Sequence, residues 1–252
     1  MPAAERGHRG RVRIREIQSA DDAAFDRAYK LLHDAFPRSE LLPRREWVYL
    51  MTERALGLWT DINWHLIVAE RGRQVVGAAS GSYVGNLNVG LIGYIALNPG
   101  SRSGGVGPRL RSKLRSCFER DARHIERGPL KALVGEVHLS NPWLGHLVRR
   151  EGAIALDFPY YQPSLRGRRH PVPMVLYYQP LDRPRSWLAA SELRKLLYTL
   201  WRRPYRISKP LTRSAFRRML RALEGRRRIG QRDLPTPRKK PAAKTGARST
   251  KR

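Results

Sequence analysis

The sequence predicts an α/β domain, a mixed sheet flanked by helices, followed by a basic helical extension and a disordered tail. Three observations carry this reading. Strand-like and helix-like apolar patterns alternate in the order β-α-α-β-β-β-α-β-α-β-β up to about residue 182. The 252 residues are 41% hydrophobic, enough for one substantial core. Charge is divided unevenly: residues 183–252 hold 23 Lys and Arg but only three acids, Glu192, Glu224 and Asp233, whereas the first 182 residues carry 27 against 18. The expected division is 11–182 for the main domain, 183–229 for the extension and 230–252 for the tail. No internal repeat is evident.

Val12–Ile17 alternates and suits a first strand. Ser19, Asp21 and Asp22 supply helix-start chemistry, and Phe25, Ala28, Tyr29, Leu32 and Phe36 then repeat at helical spacing up to Pro37. A second helix covers Arg44–Leu56, with Trp47, Leu50 and Met51 on one side. His65–Glu70 and Val75–Val84 read as strands joined by a polar turn, and Asn88–Leu97 as a third. Val75–Ser101 carries no charge, which raises the question of a membrane span. Glycines at 77, 81, 85, 90 and 93, with Asn86 and Asn88 at the centre, fit two buried strands around a turn better. Val106, Leu110, Leu114, Cys117 and Phe118 mark a helix to about Glu126. Leu130–Leu139 is a further strand, Asn141-Pro142 opens a short helix ending near Gly152, and Ala153–Tyr161 pairs with Val172–Pro180. Trp187–Trp201 and Thr212–Leu223 form helices with one apolar side. Gln231–Arg252 has almost nothing to bury and is expected to be disordered.

The net charge of +29 predicts attraction to nucleic acid, an anionic membrane or acidic partners without choosing among them. Trp187, Tyr198, Trp201 and Tyr205 among the arginines suit base stacking or a membrane interface. The alternative is a solubilising tail with helices packed on the main domain. The N-terminus lacks the apolar core of a secretory signal, so a cytoplasmic protein is expected. The single cysteine, Cys117, excludes an intrachain disulfide and a Cys-rich zinc site. No metal is expected, and Cys117 reads as a small buried hydrophobe.

The stretch Asn98–Leu110, NPGSRSGGVGPRL, asks for a ligand. A Walker loop needs Gly-Lys-Ser/Thr, but Pro108-Arg109 follow Gly107; the dinucleotide fingerprint needs a small residue where Leu110 stands. What fits is a strand ending in a turn whose N–H groups converge on an anion at a helix start. Gly104, Gly105 and Gly107 permit close backbone approach, Pro108 suits the first helical turn, and Arg102 adds a charge-assisted contact. Leu97-x-Pro99-x-x-Arg102-x-x-Gly105-x-Gly107 resembles the acyl-CoA-binding motif of the GNAT superfamily, the Gcn5-related N-acetyltransferases, and the order of elements is similar over about residues 11–181. The resemblance implies a mostly antiparallel, twisted sheet. It also implies an acetyl-CoA or other acyl-CoA co-substrate held by Leu97, Arg102, Gly104, Gly105, Val106 and Gly107, with Asn141 near the pantetheine, and an amine-bearing acceptor. Two departures stand out: Val148 where many members place a Tyr that protonates the leaving thiolate, and Ala153 where a Phe follows the glycine.

Acyl transfer to an amine needs a held thioester, a donor toward its carbonyl oxygen and a route for the amine's proton. The resemblance places the donor as a backbone N–H near Ala96–Asn98. Val134, Glu136 and His138 share one strand face, so Glu136 and His138 are candidates for the base; pairing with an arginine and a satisfied strand-end histidine are the plainer readings. Tyr160 or Tyr161 could donate to the thiolate in place of the missing Tyr, or simply pack; His146 is a weaker candidate on a helix face. Trp47, Trp59 and Trp64 are equally compatible with core or lid. Three functions follow: an N-acyltransferase acting by direct attack, a non-catalytic acyl-CoA-binding protein, or a nucleic-acid or anionic-surface binder acting through residues 183–252. The arginine-rich surface suggests acceptors with acidic groups, such as a nucleotide-linked sugar, an acidic peptide or RNA.

Overall fold

The computed structural model describes residues 11–58, 61–102, 104–126, 128–165 and 170–234. The elements run β1 (Arg13–Ile17), α1 (Phe25–Ala35), α2 (Arg44–Ala55), β2 (Ile62–Arg71), β3 (Gln74–Val84), β4 (Val89–Leu97), α3 (Val106–Ile125), β5 (Ala132–Val137), α4 (Pro142–Glu151), β6 (Ile154–Ala155), β7 (Tyr160–Gln162), β8 (Val172–Pro180), β9 (Trp187–Ala189), α5 (Ala190–Arg202), α6 (Ser214–Arg221) and β10 (Arg228–Gly230). β1 to β8 build one sheet in the order β1-β2-β3-β4-β5-β8-β6, with β7 also on β8. Every pairing is antiparallel except β4 with β5.

The uncharged run from Val75 is explained by position. β3 and β4 are central strands covered on both faces, where nothing charged has a solvent route. On one face Leu66, Val68, Ala78 and Tyr94 pack under α1 and α2 with Trp47 and Trp64; on the other, Ile67, Ala69, Ala79 and Ile92 pack under α3. Trp47 and Trp64 are therefore core, with Trp47 against Phe25, Tyr29, Trp64 and Tyr94. Trp59 lies outside the described residues. No helix among the described residues is long and apolar enough to cross a membrane.

The packing does not break at residue 182. Val134, Leu176 and Tyr178 of β5 and β8 share a core cluster with Leu193, Leu197 and Trp201 of α5 and Phe216 and Met219 of α6. The apolar sides of the C-terminal helices thus cover a sheet face that would otherwise be exposed. Two expectations change in detail. Trp187–Ala189 starts as a strand, paired with β10, before the helix begins at Ala190. Gln231 and Arg232 are not free tail, because the Ala155 N–H donates to Gln231 Oε1 at 2.9 Å and the Arg232 N–H to the Ala155 carbonyl at 2.8 Å. The unpaired edge at β6 captures them. Residues 235–252 of the expected tail lie outside the described residues.

One buried polar cluster ties α3 to the sheet. The His65 ring on β2 is fully buried, with Nδ1 at 2.6 Å from Glu16 Oε1 on β1 and Nε2 at 2.7 Å from Asp121 Oδ2 on α3. Arg54 Nη1 reaches Glu16 at 2.6 Å, and Cys117 Sγ lies 3.6 Å from its other oxygen. Cys117 is buried as expected, yet it faces a carboxylate as well as apolar neighbours. Burial alone would lower the His65 pKa, but hydrogen bonding to the Asp121 and Glu16 carboxylates and to Cys117, with the nearby Asp121 charge, outweighs it and raises the value to about 10. The ring is an imidazolium between two carboxylates.

His65→Ala leaves those two carboxylates buried around an empty site and is expected to cost about 3–5 kcal/mol of folding stability. Because the folded-state pKa lies above the unfolded one, the His65 contribution is complete below about pH 6.5 and is lost as pH rises to about 10. Denaturant unfolding of the wild type and His65→Ala across pH 6–11 should show the gap between them closing toward the alkaline end. A gap that stays constant would mean the ring folds uncharged.

Candidate active site

Where β4 meets β5 the sheet opens. The two strands pair from Val89↔Ala132 to Ile92↔Gly135 and then part, although β4 continues to Leu97 and β5 to Val137. A bulge at the same place, where β3 pairs Ser80 with Tyr94 but Gly81 with Ile92, leaves Gly93 as an extra residue and bends β4. The Asn98 N–H bonds back to the Val76 carbonyl at 3.0 Å, on the β3 side. Alternation along the strand then turns the Leu97 and Ile95 N–H groups toward the gap. In the stretch near Ala96–Asn98 the N–H groups on the gap side are therefore those of Leu97 and Ile95.

One arm of the gap leads to the glycine turn. Gly105 has φ +66°, a left-handed conformation that a glycine takes without strain, and it opens α3 with no side-chain cap on the first-turn N–H groups. A Cβ built at Gly105 would meet nothing within 4 Å, and one at Gly104 nothing nearer than 3.8 Å. The space beside this backbone is therefore open to a ligand. The groove here has a volume of about 510 Å³ and is lined by Leu97, Arg102, Gly107 and Pro108 on one side and by Phe36, Asn141 and Trp143 on the other. Exposed backbone donors at a helix start beside an arginine fit a pyrophosphate. Asn141 lines this groove, but its Oδ1 caps α4 by accepting from the Trp143 N–H at 3.0 Å.

The other arm is a smaller cavity of about 120 Å³ lined by Glu40, Glu136, His138, Gln162 and Tyr177, sharing Phe36, Ile95, Asn141 and Trp143 with the groove. Glu136 lies beyond the last β4–β5 pair, on the strand face that α5 and α6 cover. Its carboxylate accepts a short hydrogen bond from the Tyr160 hydroxyl and a second from Tyr205. Burial raises the Glu136 pKa to about 7, with the Glu40 charge adding to the rise and the two phenols opposing it. Burial and the Glu136 charge hold the Tyr160 phenol well above its ordinary value, so it stays a donor.

The structure brings together most of the residues expected from sequence. Glu136 and His138 both line the cavity, with His138 Nε2 at 3.2 Å from Glu40 Oε2. Tyr160 does not line either cavity; it is buried behind Glu136 and holds the carboxylate, which corrects its expected part as donor to a thiolate. Tyr161 bonds outward to Arg218 at 3.2 Å, and His146 stacks on Trp143. Val148 packs against the cluster under α4.

Three residues were not legible. Glu40 follows a helix in an aperiodic Ser-Glu-Leu-Leu-Pro segment, where no pattern predicts burial, yet its side chain is only 8% exposed. Gln162 was one more polar residue at a strand end. Tyr205 was grouped with possible stacking aromatics, but the Arg203 N–H to Thr199 and Tyr205 N–H to Leu200 bonds fold it back against the core. Trp201 is likewise buried, so two of the four aromatics proposed for base stacking face inward. The cavity is also acidic, opposite in sign to the chain, which argues against the acidic acceptors suggested by composition.

No protein-family model matches the chain, and no curated protein sequence matches it. Solved structures do resemble it. A putative GNAT-family acetyltransferase from Bacteroides thetaiotaomicron superposes with a TM-score of 0.56 at 18% identity, covering 78% of this chain and 99% of its own. An N-acetyltransferase from Staphylococcus aureus Mu50 gives 0.50 at 12% identity, covering 69% of this chain and 100% of its own. The chain has the GNAT fold. Within that fold the glycine turn at the start of α3 and the mostly antiparallel sheet stand where the sequence resemblance implied.

Removing the Tyr160 hydroxyl takes away the larger of two interactions that hold Glu136 ionised, so Tyr160→Phe should move its titration above about 7, and Tyr205→Phe should do so by less. The carboxyl ¹³C resonance of Glu136, assigned by its loss in Glu136→Gln, reports this directly. Identical midpoints in all three phenol backgrounds would mean that neither hydroxyl controls the carboxylate.

Proposed function

We propose that the chain is an acyl-CoA-dependent N-acyltransferase, with acetyl as the group transferred. The observation that carries this is the continuity of the two cavities. The groove beside the glycine turn and the cavity holding Glu136 meet at Phe36, Ile95, Asn141 and Trp143, where β4 and β5 part. A pyrophosphate held by the N–H groups of Gly105–Gly107 and by Arg102 would direct the pantetheine arm along Leu97 into that junction.

At the junction the Leu97 or Ile95 N–H faces the thioester carbonyl oxygen and stabilises the negative charge that develops there. Glu136 is the base. A carboxylate titrating near 7 is about half ionised at neutral pH, and in that form it is basic enough to accept a proton from the bound ammonium. The freed nitrogen lone pair attacks the carbonyl carbon, a C–N bond forms and the C–S bond breaks. The second nitrogen proton passes to the CoA sulfur, and Glu136 returns its own proton to solvent. Tyr160 and Tyr205 fix the carboxylate, and His138 holds Glu40 at the cavity wall. Val148 leaves α4 without a phenol, so no donor from that helix is assigned to the thiolate.

Two titrations test this. Acetyl-CoA should bind the wild type, and Arg102→Ala should weaken that binding about tenfold, the loss of one charge-assisted phosphate contact. Glu136→Gln should keep acetyl-CoA affinity while lowering kcat about 10²–10⁴-fold. In the wild type kcat should rise with pH through about 7, as the base ionises, and this limb should disappear in Glu136→Gln. Turnover and pH profile unchanged by Glu136→Gln would remove Glu136 as base, and no binding of any acyl-CoA would remove the function.

A further inference from the structure

The cavity beside Glu136 also constrains the acceptor, and this inference rests on the acyltransferase reading above. Its polar wall sets acceptors from Glu40, Glu136 and Gln162 beside the hydroxyls of Tyr94 and Tyr177, the Asn141 amide and the Arg111 guanidinium. Glu40 and Glu136 contribute carboxylates, and Gln162 is 5% exposed with an Oε1 that has no hydrogen-bond partner among the described residues. The one guanidinium on the wall, Arg111, bonds Glu151 through Nη1 and Gln179 through Nη2, while its Nε has no hydrogen-bond partner among the described residues. His138, half-exposed, faces Glu40 at 3.2 Å and balances one charge at most. Glu136 already accepts from Tyr160 and Tyr205, and Glu40 faces His138; the buried Gln162 oxygen has no such partner and is costly unless a donor arrives to meet it.

The apolar part of the wall includes Phe36, Ile92, Ile95 and Met174. At about 120 Å³ the cavity is smaller than the roughly 150 Å³ that admits a benzene ring. A ring or a carbon branched beside the nitrogen has less room at its narrow end than a linear methylene chain, which lies between the apolar side chains. A primary ammonium at its end has three N–H donors for the three acceptors, Glu40, Glu136 and Gln162.

We propose that the acceptor enters this cavity as a slender, unbranched alkylammonium, its charged end received by Glu40, Glu136 and Gln162 and its chain lying along Phe36, Ile95 and Met174. A free aliphatic amine and a lysine side chain share this chemistry. An α-amine on a branched carbon and a ring amine of an amino sugar do not. Glu40 acts here as a specificity residue, since it binds the ammonium without taking its proton.

The test is binding to the full-length chain with CoA present, followed by amide NMR shifts, using pentylamine, Nα-acetyl-lysine amide, alanine amide and glucosamine. The first two should bind at least tenfold more tightly than the last two, and Glu40→Gln and Gln162→Leu should each weaken them at least tenfold without altering CoA affinity. With acetyl-CoA as donor, Glu40→Gln should raise the amine KM more than it lowers kcat. Preference between the first two amines distinguishes a free amine from a lysine side chain. Alkylamines binding no better than alanine amide or glucosamine, or binding unaffected in both variants while melting temperatures are unchanged, would overturn the inference and leave the acyltransferase reading intact. Failure of CoA itself to bind would instead overturn that reading.

Discussion

The parting of β4 from β5 is the constraint on which the rest of the site depends. Two parallel strands pair for four residues and then separate, and the separation creates both unpaired backbone donors and a space between layers. Unpaired N–H groups in a sheet are costly when buried, so a fold that retains them at a cavity wall has somewhere to use them. Gly93 makes the opening possible from one side by bulging β4. Gly135 sits on the other at the last paired position, where a Cβ would approach the Tyr177 hydroxyl to 2.6 Å and its ring to 2.7 Å. Close packing, not chain flexibility, fixes where the strands diverge.

The aim of α3 follows from packing on the opposite face. Phe118 lies against the backbone of Gly90, where a Cβ would come within 2.1 Å of the ring, so the helix sits unusually close to the sheet. The imidazolium of His65 joins Asp121 on α3 to Glu16 on β1, and Arg111 extends the same helix toward Glu151 on α4 and Gln179 on β8. With those contacts set, the uncapped N-terminus of α3 faces the groove rather than solvent at large. The aim of the α3 N-terminus, where the proposed pyrophosphate contact lies, thus depends on buried polar contacts farther along the helix.

The C-terminal segment completes the chemistry. By covering Val134 and Leu176 it buries the strand face that also carries Glu136, and it brings Tyr205 to the carboxylate. Its arginines partly neutralise acids on the main domain, as with Arg203 and Asp61 at 2.7 Å and Arg206 and Glu53. The high basic content of residues 183–234 therefore describes mainly the outer side, and the apolar inner side packs on the sheet. Charge counted along the chain is opposite in sign to the carboxylates of Glu40 and Glu136 at the smaller cavity, because most of the arginines lie elsewhere.

By itself the sequence determined the class of fold, the order of elements, the glycine turn at a helix start and Glu136 and His138 as neighbours on one strand face. These are readable because periodicities of 2.0 and 3.6 and the special backbone freedom of glycine are local properties. Only the tertiary structure decided that Glu136 titrates near 7, that Tyr160 stands behind it, and that Glu40, Gln162 and Tyr205 belong to the same site. Burial and pKa depend on what the other layers place over a residue. Glu40 comes from a loop and Tyr205 from a turn beyond the main sheet, so their meeting 96 and 69 residues from Glu136 in sequence leaves no local trace. The physical reason is that desolvation is a property of the assembled molecule, and no window of the chain contains it.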